Sequence, residues 1–228
     1  MSVAVIIPAA GLGRRMKETI NKQYLQLCGK PVVAHTLSAC LAANCFTQII
    51  VVVTPGEEEL FRRDVVLPWF PAQTFTIVKG GRERQDSVRN GLAVLKDGID
   101  FVCIHDGARP LAQAMLLQQC LVKAKECGAA IAAVPVKDTI KVVDEAGQVV
   151  VTPIRSQLWA VQTPQIFRRE WVEDVHHRAA EEQIQATDDA SLLEQYGFPV
   201  SIVKSNYENI KVTTPEDLML AEAILRRR

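Results

Sequence analysis

The sequence has no excess of charge of either sign and no long apolar run. Its 228 residues include 26 Lys plus Arg and 26 Asp plus Glu, so the formal net charge is zero. General nucleic-acid and membrane-surface binders carry a basic excess, and neither class fits. No apolar run approaches the roughly 18 residues that a membrane span requires. The first apolar stretch precedes the basic residues, the reverse of a secretion signal, so we expect a soluble, cytoplasmic protein.

Metal-binding and nucleotide-binding signatures are also missing. The six cysteines form no Cys-x-x-Cys pair, and the four histidines show no ligand spacing with them. A disulfide framework and a zinc site are therefore not expected, and reduced thiols are typical of the cytoplasm. Residues 11–18 do not match GxxxxGK[ST], and Met16 stands where the GxGxxG fingerprint needs glycine. These absences exclude a P-loop and a dinucleotide-binding motif.

Short apolar runs alternate with stretches of helical spacing along most of the chain. Continuous runs rich in β-branched residues are typical of strands buried on both faces. Their alternation with helices predicts an α/β fold: a layered, Rossmann-like domain with a mostly parallel sheet and right-handed crossovers. Strands are predicted at Val3–Ile7, Ile49–Val53, Phe75–Val78, Phe101–Ile104, Ala130–Val134 and Val200–Val203, and helices at Val33–Ala43, Glu57–Val66, Asp86–Leu95, Ala112–Cys127, Arg169–Ala180 and Ser191–Tyr196.

Two further segments have recognisable local signals. Threonines 213 and 214 followed by Pro215 predict the start of a last helix, whose end at Arg226–Arg228 we interpret as a solvated tail. Two β-rich stretches, Thr139–Val143 and Val149–Thr152, flank a turn signal and predict a hairpin. An isolated hairpin is marginal in water, so this one should pack on its own domain or on a second subunit.

The loop after the first predicted strand combines small residues with basic ones. Ala9, Ala10, Gly11 and Gly13 keep side chains short, which lets backbone N–H groups approach an anionic group closely. Basic side chains follow at Arg14, Arg15 and Lys22. Ligands of open α/β sheets bind at the carboxyl ends of the strands, so we predict a phosphate site here, with a simple tight turn as the alternative.

A second strand runs into a loop at Phe101–Pro110. Its Asp106 is the candidate Mg²⁺ ligand, because Mg²⁺ beside phosphate oxygens needs only one or two carboxylates. The alternative is a loop-stabilising Asp106 paired with Arg109, and His105 is interpreted as a structural, hydrogen-bonded residue. A third segment, Gly80–Val88, could bring backbone groups and Ser87 to a nucleobase edge, although a polar helix start would look the same.

Together these segments resemble the 2-C-methyl-D-erythritol 4-phosphate cytidylyltransferase family, in family order from residue 3 to the end of the chain. Members join CTP to methylerythritol 4-phosphate, giving 4-diphosphocytidyl-methylerythritol and pyrophosphate in the non-mevalonate isoprenoid pathway. The resemblance implies a nucleotidyltransferase fold with a protruding β-hairpin arm. The motifs are Pro8-Ala-Ala-Gly-Leu-Gly-Arg-Arg-Met16, Asn21-Lys-Gln-Tyr-Leu25, Gly80-Gly-x-x-Arg-x-Asp-Ser-Val88, Ile104-His-Asp-Gly-Ala-Arg-Pro110, Thr163-Pro-Gln165, Thr187-Asp188 with Ala190-Ser191, and Glu208-Asn-Ile-Lys-Val-Thr213.

The resemblance also implies roles for individual residues. Arg15 and Lys22 would hold the triphosphate and stabilise the transition state, and Lys211 would hold the methylerythritol phosphate. Asp106 would bind Mg²⁺ or another divalent cation and help to position the sugar phosphate. Nucleotide contacts are implied for Ala9, Ala10 and Gly11, cytosine contacts for Gly81 and Ser87, and further substrate contacts for Gly13, Arg84, Arg109, Thr163 and Thr187.

The expected organisation is one cytidylyltransferase domain over residues 1–228, with residues 137–156 as the arm of a homodimer. Thr139 and Arg155 of the arm would then serve the neighbouring subunit's site, and Arg155 would orient the sugar phosphate. Arg82 stands where some relatives have an acid, and Glu208 where some have Asp, so neither receives a role. The alternatives are ribitol 5-phosphate cytidylyltransferase, which tends to have HDAVRP, and a non-catalytic nucleotide-binding subunit. At 228 residues, we expect no second cyclase domain of the kind that bifunctional relatives carry.

Overall fold

A seven-stranded sheet forms the centre of the computed structural model, which describes residues 1–11 and 21–228. Two small two-stranded sheets accompany it. The strands are β1 (Ser2–Pro8), β2 (Gln26–Leu27), β3 (Lys30–Pro31), β4 (Gln48–Val53), β5 (Thr76–Lys79), β6 (Ile99–Ile104), β7 (Ala129–Pro135), β8 (Val142–Val143), β9 (Val149–Val151), β10 (Trp159–Arg168) and β11 (Ser201–Lys204).

Helices connect most of the strands. The connection between β4 and β5 is irregular, because a π-helical turn at Arg62–Val66 separates its two short α-helices. Short 3₁₀ turns lie at Lys22–Tyr24 and Arg155–Gln157. The α-helices are α1 (Val32–Ala42), α2 (Glu58–Phe61), α3 (Leu67–Trp69), α4 (Arg84–Leu92), α5 (Ala114–Cys127), α6 (Arg169–Glu181), α7 (Asp189–Gln195) and α8 (Pro215–Arg227). In the part of the chain that is described, no helix is both long and apolar enough to cross a bilayer.

The strand order in the large sheet is β11-β7-β10-β6-β1-β4-β5. β1 pairs in parallel with β4 and β6, β5 with β4, and β11 with β7. The register places Ile6 opposite Ile104 and Pro8 opposite Val52. The carboxyl ends of β1, β4 and β6 therefore lie side by side at one edge of the sheet, as the predicted α/β fold requires.

The core has two layers because side chains alternate between the faces of the sheet. On β1, Val5 and Ile7 pack in one cluster with α1 and α5, whereas Ala4 and Ile6 pack in the other with α4, α6 and α7. Burial on both faces explains why these strands are continuous apolar runs in the sequence. The three-layer α/β architecture expected from the sequence is confirmed.

β10 is the strand that the apolar runs do not predict. It is antiparallel to both neighbours, β6 and β7. Its middle contains Gln162, Thr163, Pro164 and Gln165, which break the apolar pattern, yet the polar side chains among them are buried. These polar groups are satisfied by distant partners, and such tertiary contacts leave no local signal in the sequence.

The predicted hairpin forms, but its strands are shorter than expected. β8 and β9 are antiparallel, with Val142 opposite Val151. The Asp144 carboxylate accepts a hydrogen bond from the backbone N–H of Gln148 at 2.8 Å and closes the turn. Residues 137–152 are all exposed.

The end of α8 matches the expected solvated tail at Arg226 and Arg227, which are exposed, but not at Arg228. Both terminal guanidinium nitrogens of Arg228 donate to the carbonyl oxygen of Leu111, at 3.1 and 3.2 Å. Arg228 also lies 3.0 Å from the Glu208 carboxylate, which pairs with Arg227 as well. The expectation is therefore confirmed for the exposed Arg226 and Arg227, whereas Arg228 departs from it because distant loops offer acceptors to its guanidinium.

Candidate active site

A cavity of about 670 Å³ opens at the carboxyl ends of the parallel strands. The loops that follow β1, β4, β5 and β6 all contribute to it, as the position of ligand sites in open α/β sheets predicts. The loop before α8 completes its wall. The lining residues are Pro8, Ala10, Gly11, Lys22, Gln23, Thr54, Pro55, Gly81, Arg82, Glu83, Arg84, Ser87, Asp106, Ala108 and Lys211.

Two of these loops touch so closely that one position must be glycine. A Cβ atom added at Gly80 would lie 2.4 Å from the Cβ of Ala10. Beside it, the backbone N–H of Gly81 donates to the Ser87 hydroxyl at 3.1 Å, and that hydroxyl donates to the carbonyl oxygen of Glu83. This side of the cavity is therefore built mainly from main chain, held in shape by Ser87 in the first turns of α4.

Lys22 enters the cavity from a 3₁₀ turn. The Asn21 side chain accepts a hydrogen bond from the backbone N–H of Gln23 and caps this turn. The Lys22 ammonium donates to the carbonyl oxygen of Val212 at 3.1 Å, and the residue is almost fully buried. Lys22 is thereby tied to the segment that carries Lys211.

Asp106 is surrounded by three cationic side chains. Its carboxylate lies 3.2 Å from Arg84, 2.8 Å from Lys211 and 3.7 Å from Arg109. Burial alone would raise the pKa of this carboxyl, but the three cations outweigh burial and hold the pKa well below its usual range. Asp106 is therefore ionised at neutral pH. Its pairing with Arg109 is the loop-stabilising contact that the sequence left open.

His105 and Thr163 fix the backbone at Asp106. The backbone N–H of Asp106 donates to the Thr163 hydroxyl at 3.0 Å, and that oxygen lies 3.0 Å from Nδ1 of His105. Burial, together with the Arg109 charge, lowers the pKa of His105 to about 3. His105 is therefore neutral at physiological pH and acts as the structural, hydrogen-bonded residue that the sequence indicated.

The loop of residues 205–212, which we call the Lys211 loop, is fastened to the Asp106 loop by hydrogen bonds. Arg109 donates to the carbonyl oxygen of Asn209 at 2.6 Å. The backbone N–H of Val212 donates to the carbonyl oxygen of Ala108 at 2.8 Å. The Asn209 amide donates to the carbonyl oxygen of Thr163 at 3.0 Å. These contacts explain how Lys211, distant in sequence, reaches Asp106.

Arg84 connects the site to the helices behind it. Its guanidinium lies between two carboxylates, Asp106 and Asp189, and the Asp189 contact is 2.7 Å. The second oxygen of Asp189 accepts from Nε2 of His176 at 3.0 Å. Asp189 and His176 are each only 1% exposed. Burial would raise the pKa of Asp189, but Arg84 and His176 lower it, so this carboxylate is charged as well.

Most of the predicted site residues that the structure describes do meet at this cavity, and others lie behind it or elsewhere. Ala9 is in the core, and its N–H donates to the carbonyl oxygen of Val52. Arg109 and Thr163 are buried beside Asp106, whereas Thr139, Arg155 and Thr187 do not line the cavity. Arg155 donates to the carbonyl oxygen of Lys137 at 3.1 Å. The residues that meet are Ala10, Gly11, Lys22, Gly81, Arg84, Ser87, Asp106 and Lys211. Gly13, Arg14 and Arg15 lie outside the described residues.

Several residues of the site have no role that the sequence predicts. Thr54 and Pro55 follow β4 directly, so the rule that ligands bind at strand ends could have indicated them. Gln23 and Glu83 adjoin predicted residues but carry no signal of their own. Asp189 and His176 sit in helical segments, and nothing local distinguishes them from helix-start or surface residues.

Asp106 fits a divalent cation as a single protein ligand. Its carboxylate is ionised and lines the cavity. Among residues 1–11 and 21–228, no group of three or more His, Cys, Asp or Glu side chains could hold a metal by itself. This donor set suits Mg²⁺, which keeps several waters and takes phosphate oxygens together with one or two carboxylates.

Comparison with known proteins shows a family model and close relatives that match almost the whole chain. The model of the 2-C-methyl-D-erythritol 4-phosphate cytidylyltransferase family matches residues 3–227. The protein of that name from Desulforamulus reducens is 45% identical over 227 residues, covering 100% of this chain and 97% of the relative. The one from Syntrophotalea carbinolica is 48% identical, covering 99% and 97%.

Solved structures agree with the sequence comparison. The crystal structure of 4-diphosphocytidyl-2C-methyl-D-erythritol synthase from Anaerococcus prevotii superposes with a TM-score of 0.87 at 30% identity, covering 99% of each chain. The crystal structure of 2-C-methyl-D-erythritol 4-phosphate cytidylyltransferase from Thermus thermophilus gives 0.80 at 32% identity, covering 99% of this chain and all of that one.

Proposed function

Because this chain belongs to the 2-C-methyl-D-erythritol 4-phosphate cytidylyltransferase family, we propose that it transfers the cytidylyl group of CTP to 2-C-methyl-D-erythritol 4-phosphate. The products are 4-diphosphocytidyl-2-C-methyl-D-erythritol and pyrophosphate. One observation carries the proposal: Lys22, Arg84 and Lys211 converge with an ionised Asp106 on one cavity at the ends of the parallel strands.

The chemistry asks little of the protein beyond positioning and charge. A phosphate oxygen of methylerythritol phosphate attacks the α-phosphorus of CTP, a new O–P bond forms, and the bond to the pyrophosphate leaving group breaks in line. The nucleophile is already ionised at pH 7, so no general base is needed. Alignment of the two phosphates and neutralisation of the charge on them then supply the rate enhancement.

The triphosphate is proposed to lie against the loop after β1. Ala10 and Gly11 would offer backbone N–H groups, and the Lys22 ammonium would neutralise phosphate oxygens. Arg15 has the same role by resemblance. Gly81 and Ser87, which form the main-chain side of the cavity, would face the cytosine.

The sugar phosphate is proposed to lie at the other end of the cavity. Lys211 would bind its phosphate group, and Asp106 would orient it from its position beside Lys211. Arg109 holds the two loops together through Asp106 and Asn209. A divalent cation on Asp106 would add positive charge to the triphosphate, which is the contribution we assign to Mg²⁺.

A homodimer is proposed through the hairpin of β8 and β9. Its five valines are between 45% and 66% exposed, an unusual density of exposed branched side chains for a two-stranded sheet. Such a hairpin gains stability only by packing on something else. By resemblance Arg155 and Thr139 would then reach the partner's cavity, which fits their absence from the lining of the cavity in their own chain. The free thiols and the need for CTP fit a cytoplasmic enzyme.

Pyrophosphate release from CTP and Mg²⁺ tests the function directly, with methylerythritol 4-phosphate and ribitol 5-phosphate as parallel acceptors. We expect turnover with methylerythritol phosphate, and a loss of about a hundredfold or more in Lys22→Ala, because Lys22 neutralises the phosphates. Turnover with ribitol phosphate alone would move the protein to the ribitol enzyme. Binding of CTP without turnover of either acceptor would favour a non-catalytic nucleotide-binding subunit.

A further inference from the structure

Arg84 is held from behind by a buried pair that takes no part in lining the cavity. The Arg84 network consists of His176 on α6, Asp189 at the start of α7, Arg84 at the start of α4, and Asp106 after β6. Nε2 of His176 is 3.0 Å from Asp189, Asp189 is 2.7 Å from Arg84, and Arg84 is 3.2 Å from Asp106. Four separate elements of the fold therefore meet through alternating donors and carboxylates.

We infer that His176 and Asp189 are positioning residues of the active site, acting through Arg84 on the Asp106 carboxylate. The inference rests on the proposed cytidylyl transfer and assigns it two residues outside the cavity. Asp189 uses one oxygen for each neighbour, so His176 fixes the direction in which the other oxygen meets Arg84.

The charge balance explains why this arrangement matters. Asp106 is shared by Arg84, Lys211 and Arg109, and within the described part of the chain only Arg84 of these three has a second carboxylate, Asp189, within 4 Å. Asp189 competes with Asp106 for the Arg84 guanidinium. Without Asp189, Arg84 would interact more strongly with the Asp106 carboxylate, which Lys211 also contacts.

Geometry makes the arrangement specific to arginine. A guanidinium is a planar fork that can donate to two carboxylates from different nitrogens, as Arg84 does with Nε and a terminal nitrogen. A lysine ammonium cannot reproduce that bridge. His176 has its second ring nitrogen, Nδ1, buried with no hydrogen-bond partner in the described residues, so its contact with Asp189 is the polar contact that accounts for its place there.

A pair of His176 variants tests the role. His176→Leu removes the donor, whereas His176→Gln keeps an N–H that can reach Asp189. We expect kcat to fall about tenfold in His176→Leu and to stay near wild type in His176→Gln, because a small displacement of the reacting groups costs this much or more. The KM for CTP should stay within about twofold, since the Lys22 side of the cavity is unchanged.

The matched control is His177→Gln. His177 follows His176 on α6, but it is exposed and lies 3.5 Å from Glu181 instead of a buried carboxylate. Its substitution should leave kcat and both KM values unchanged. Equal losses of kcat in His176→Gln and His176→Leu would overturn the inference, because the loss would then not follow the donor.

A double-mutant cycle with Arg84→Lys shows whether the effect passes through Arg84. If it does, His176→Leu should lower kcat by no more than about twofold further in the Arg84→Lys background. Losses that multiply would overturn the inference. The same cycle with Asp189→Asn, which keeps the shape of the side chain, carries the test if His176→Leu does not fold.

One readout does not depend on turnover. The arginine Nε–H signals in a ¹⁵N–¹H spectrum report whether Arg84 is ordered. In the wild type and in His177→Gln, we expect the high heteronuclear NOE of a rigid N–H for the Arg84 signal. In His176→Leu, we expect this NOE to fall to the value of a mobile side chain. An unchanged signal would refute the positioning role, whereas a wild type that releases no pyrophosphate would refute the proposed function instead.

Discussion

The Lys211 ammonium lies 2.8 Å from Oδ2 of Asp106 and joins the loop before α8 to the loop after β6. Neither residue reaches the other through local structure. Their contact depends on Arg109, which pairs with Asp106 and donates to Asn209 of the Lys211 loop. The cavity is therefore assembled from segments that are distant in sequence, and its geometry responds to changes well outside its lining.

Removal of the Asp106 charge should destabilise the protein in a pH-dependent way. Asp106→Asn leaves Arg84, Lys211 and Arg109 without their shared carboxylate, and breaking a buried ion pair costs about 3 kcal/mol at pH 7. Because the folded-state pKa of Asp106 is depressed, its stabilisation is present above the unfolded value of about 3.9 and is lost as the pH falls through the folded value.

Urea unfolding of both proteins at several pH values measures this effect. The difference in unfolding free energy should be large at pH 7 and should shrink below about pH 4. Asp138→Asn, an exposed carboxylate on the hairpin segment, is the control and should change stability little at any pH. A difference that is independent of pH would contradict the role given to the three cations.

Two glycine substitutions should separate stability from binding. Gly80→Ala places a Cβ 2.4 Å from that of Ala10, and forcing a methyl group into packed structure costs about 1–3 kcal/mol. Gly11→Ala meets no atom of residues 1–11 or 21–228 within 4 Å, so its melting temperature should not change. Gly11 lines the cavity, however, and the added methyl group should weaken CTP binding. Thermal unfolding and calorimetric titration with CTP distinguish the two outcomes.

Loss of the Glu208 charge should weaken the binding of the sugar phosphate and leave the binding of CTP unchanged. Glu208 is bound by Arg227 and Arg228 at the end of α8, which fastens the Lys211 loop at its outer side. Glu208→Gln should lower the free energy of unfolding only slightly, because these groups are partly exposed. The KM for methylerythritol phosphate should rise a few-fold while the KM for CTP stays constant. A change confined to the CTP value would contradict this placement of Lys211.

Mixing of two inactive variants tests the shared active sites of the proposed dimer. Lys22→Ala and Arg155→Ala should each be inactive alone. In a random mixture of subunits, half of the dimers contain both variants, and each of those has one intact site, so about a quarter of wild-type activity should return. Mixtures that stay inactive although subunits exchange would show that Arg155 does not serve a neighbouring site.

The surface of the hairpin can be tested separately by light scattering. Val150→Lys places a charge on the exposed valines and should give a monomer. Val122→Lys is the control, because Val122 is similarly exposed but lies on α5. A dimer that persists in Val150→Lys would locate the interface elsewhere.

The sequence predicted the six mutually parallel strands of the large sheet because the four central ones, β1, β4, β6 and β7, are buried on both faces as continuous apolar runs, and the edge strands β5 and β11 are short apolar runs of the same kind. It did not predict β10, whose buried Gln162 and Gln165 depend on partners in distant segments. Gln162 accepts from the Asn209 amide, and Gln165 donates to Asp188. A strand of this kind is polar in sequence and becomes recognisable only once its partners are in place.

The residues of the candidate site likewise include some that the sequence predicts and others that only the structure shows. Ala10, Lys22 and Asp106 stand at strand ends or in short basic loops, where position alone indicates a ligand site. Asp189 and His176 act by touching Arg84 across the fold, and residue types at helix starts and on helix faces do not reveal such contacts. Burial and pairing of charge are tertiary properties, so these two residues become visible only in the structure.

The closeness of Gly80 to Ala10 has a consequence for inhibition. The cavity wall beside them is main chain, and an added side-chain atom at Gly80 meets its neighbours at once. Few substitutions would therefore give resistance to a compound that bound there through backbone amide groups. Most substitutions that hindered the compound would also deform the pocket. Resistance would have to arise elsewhere, at positions such as Gly11, where an added Cβ meets no described atom, or Arg82, whose side chain is exposed.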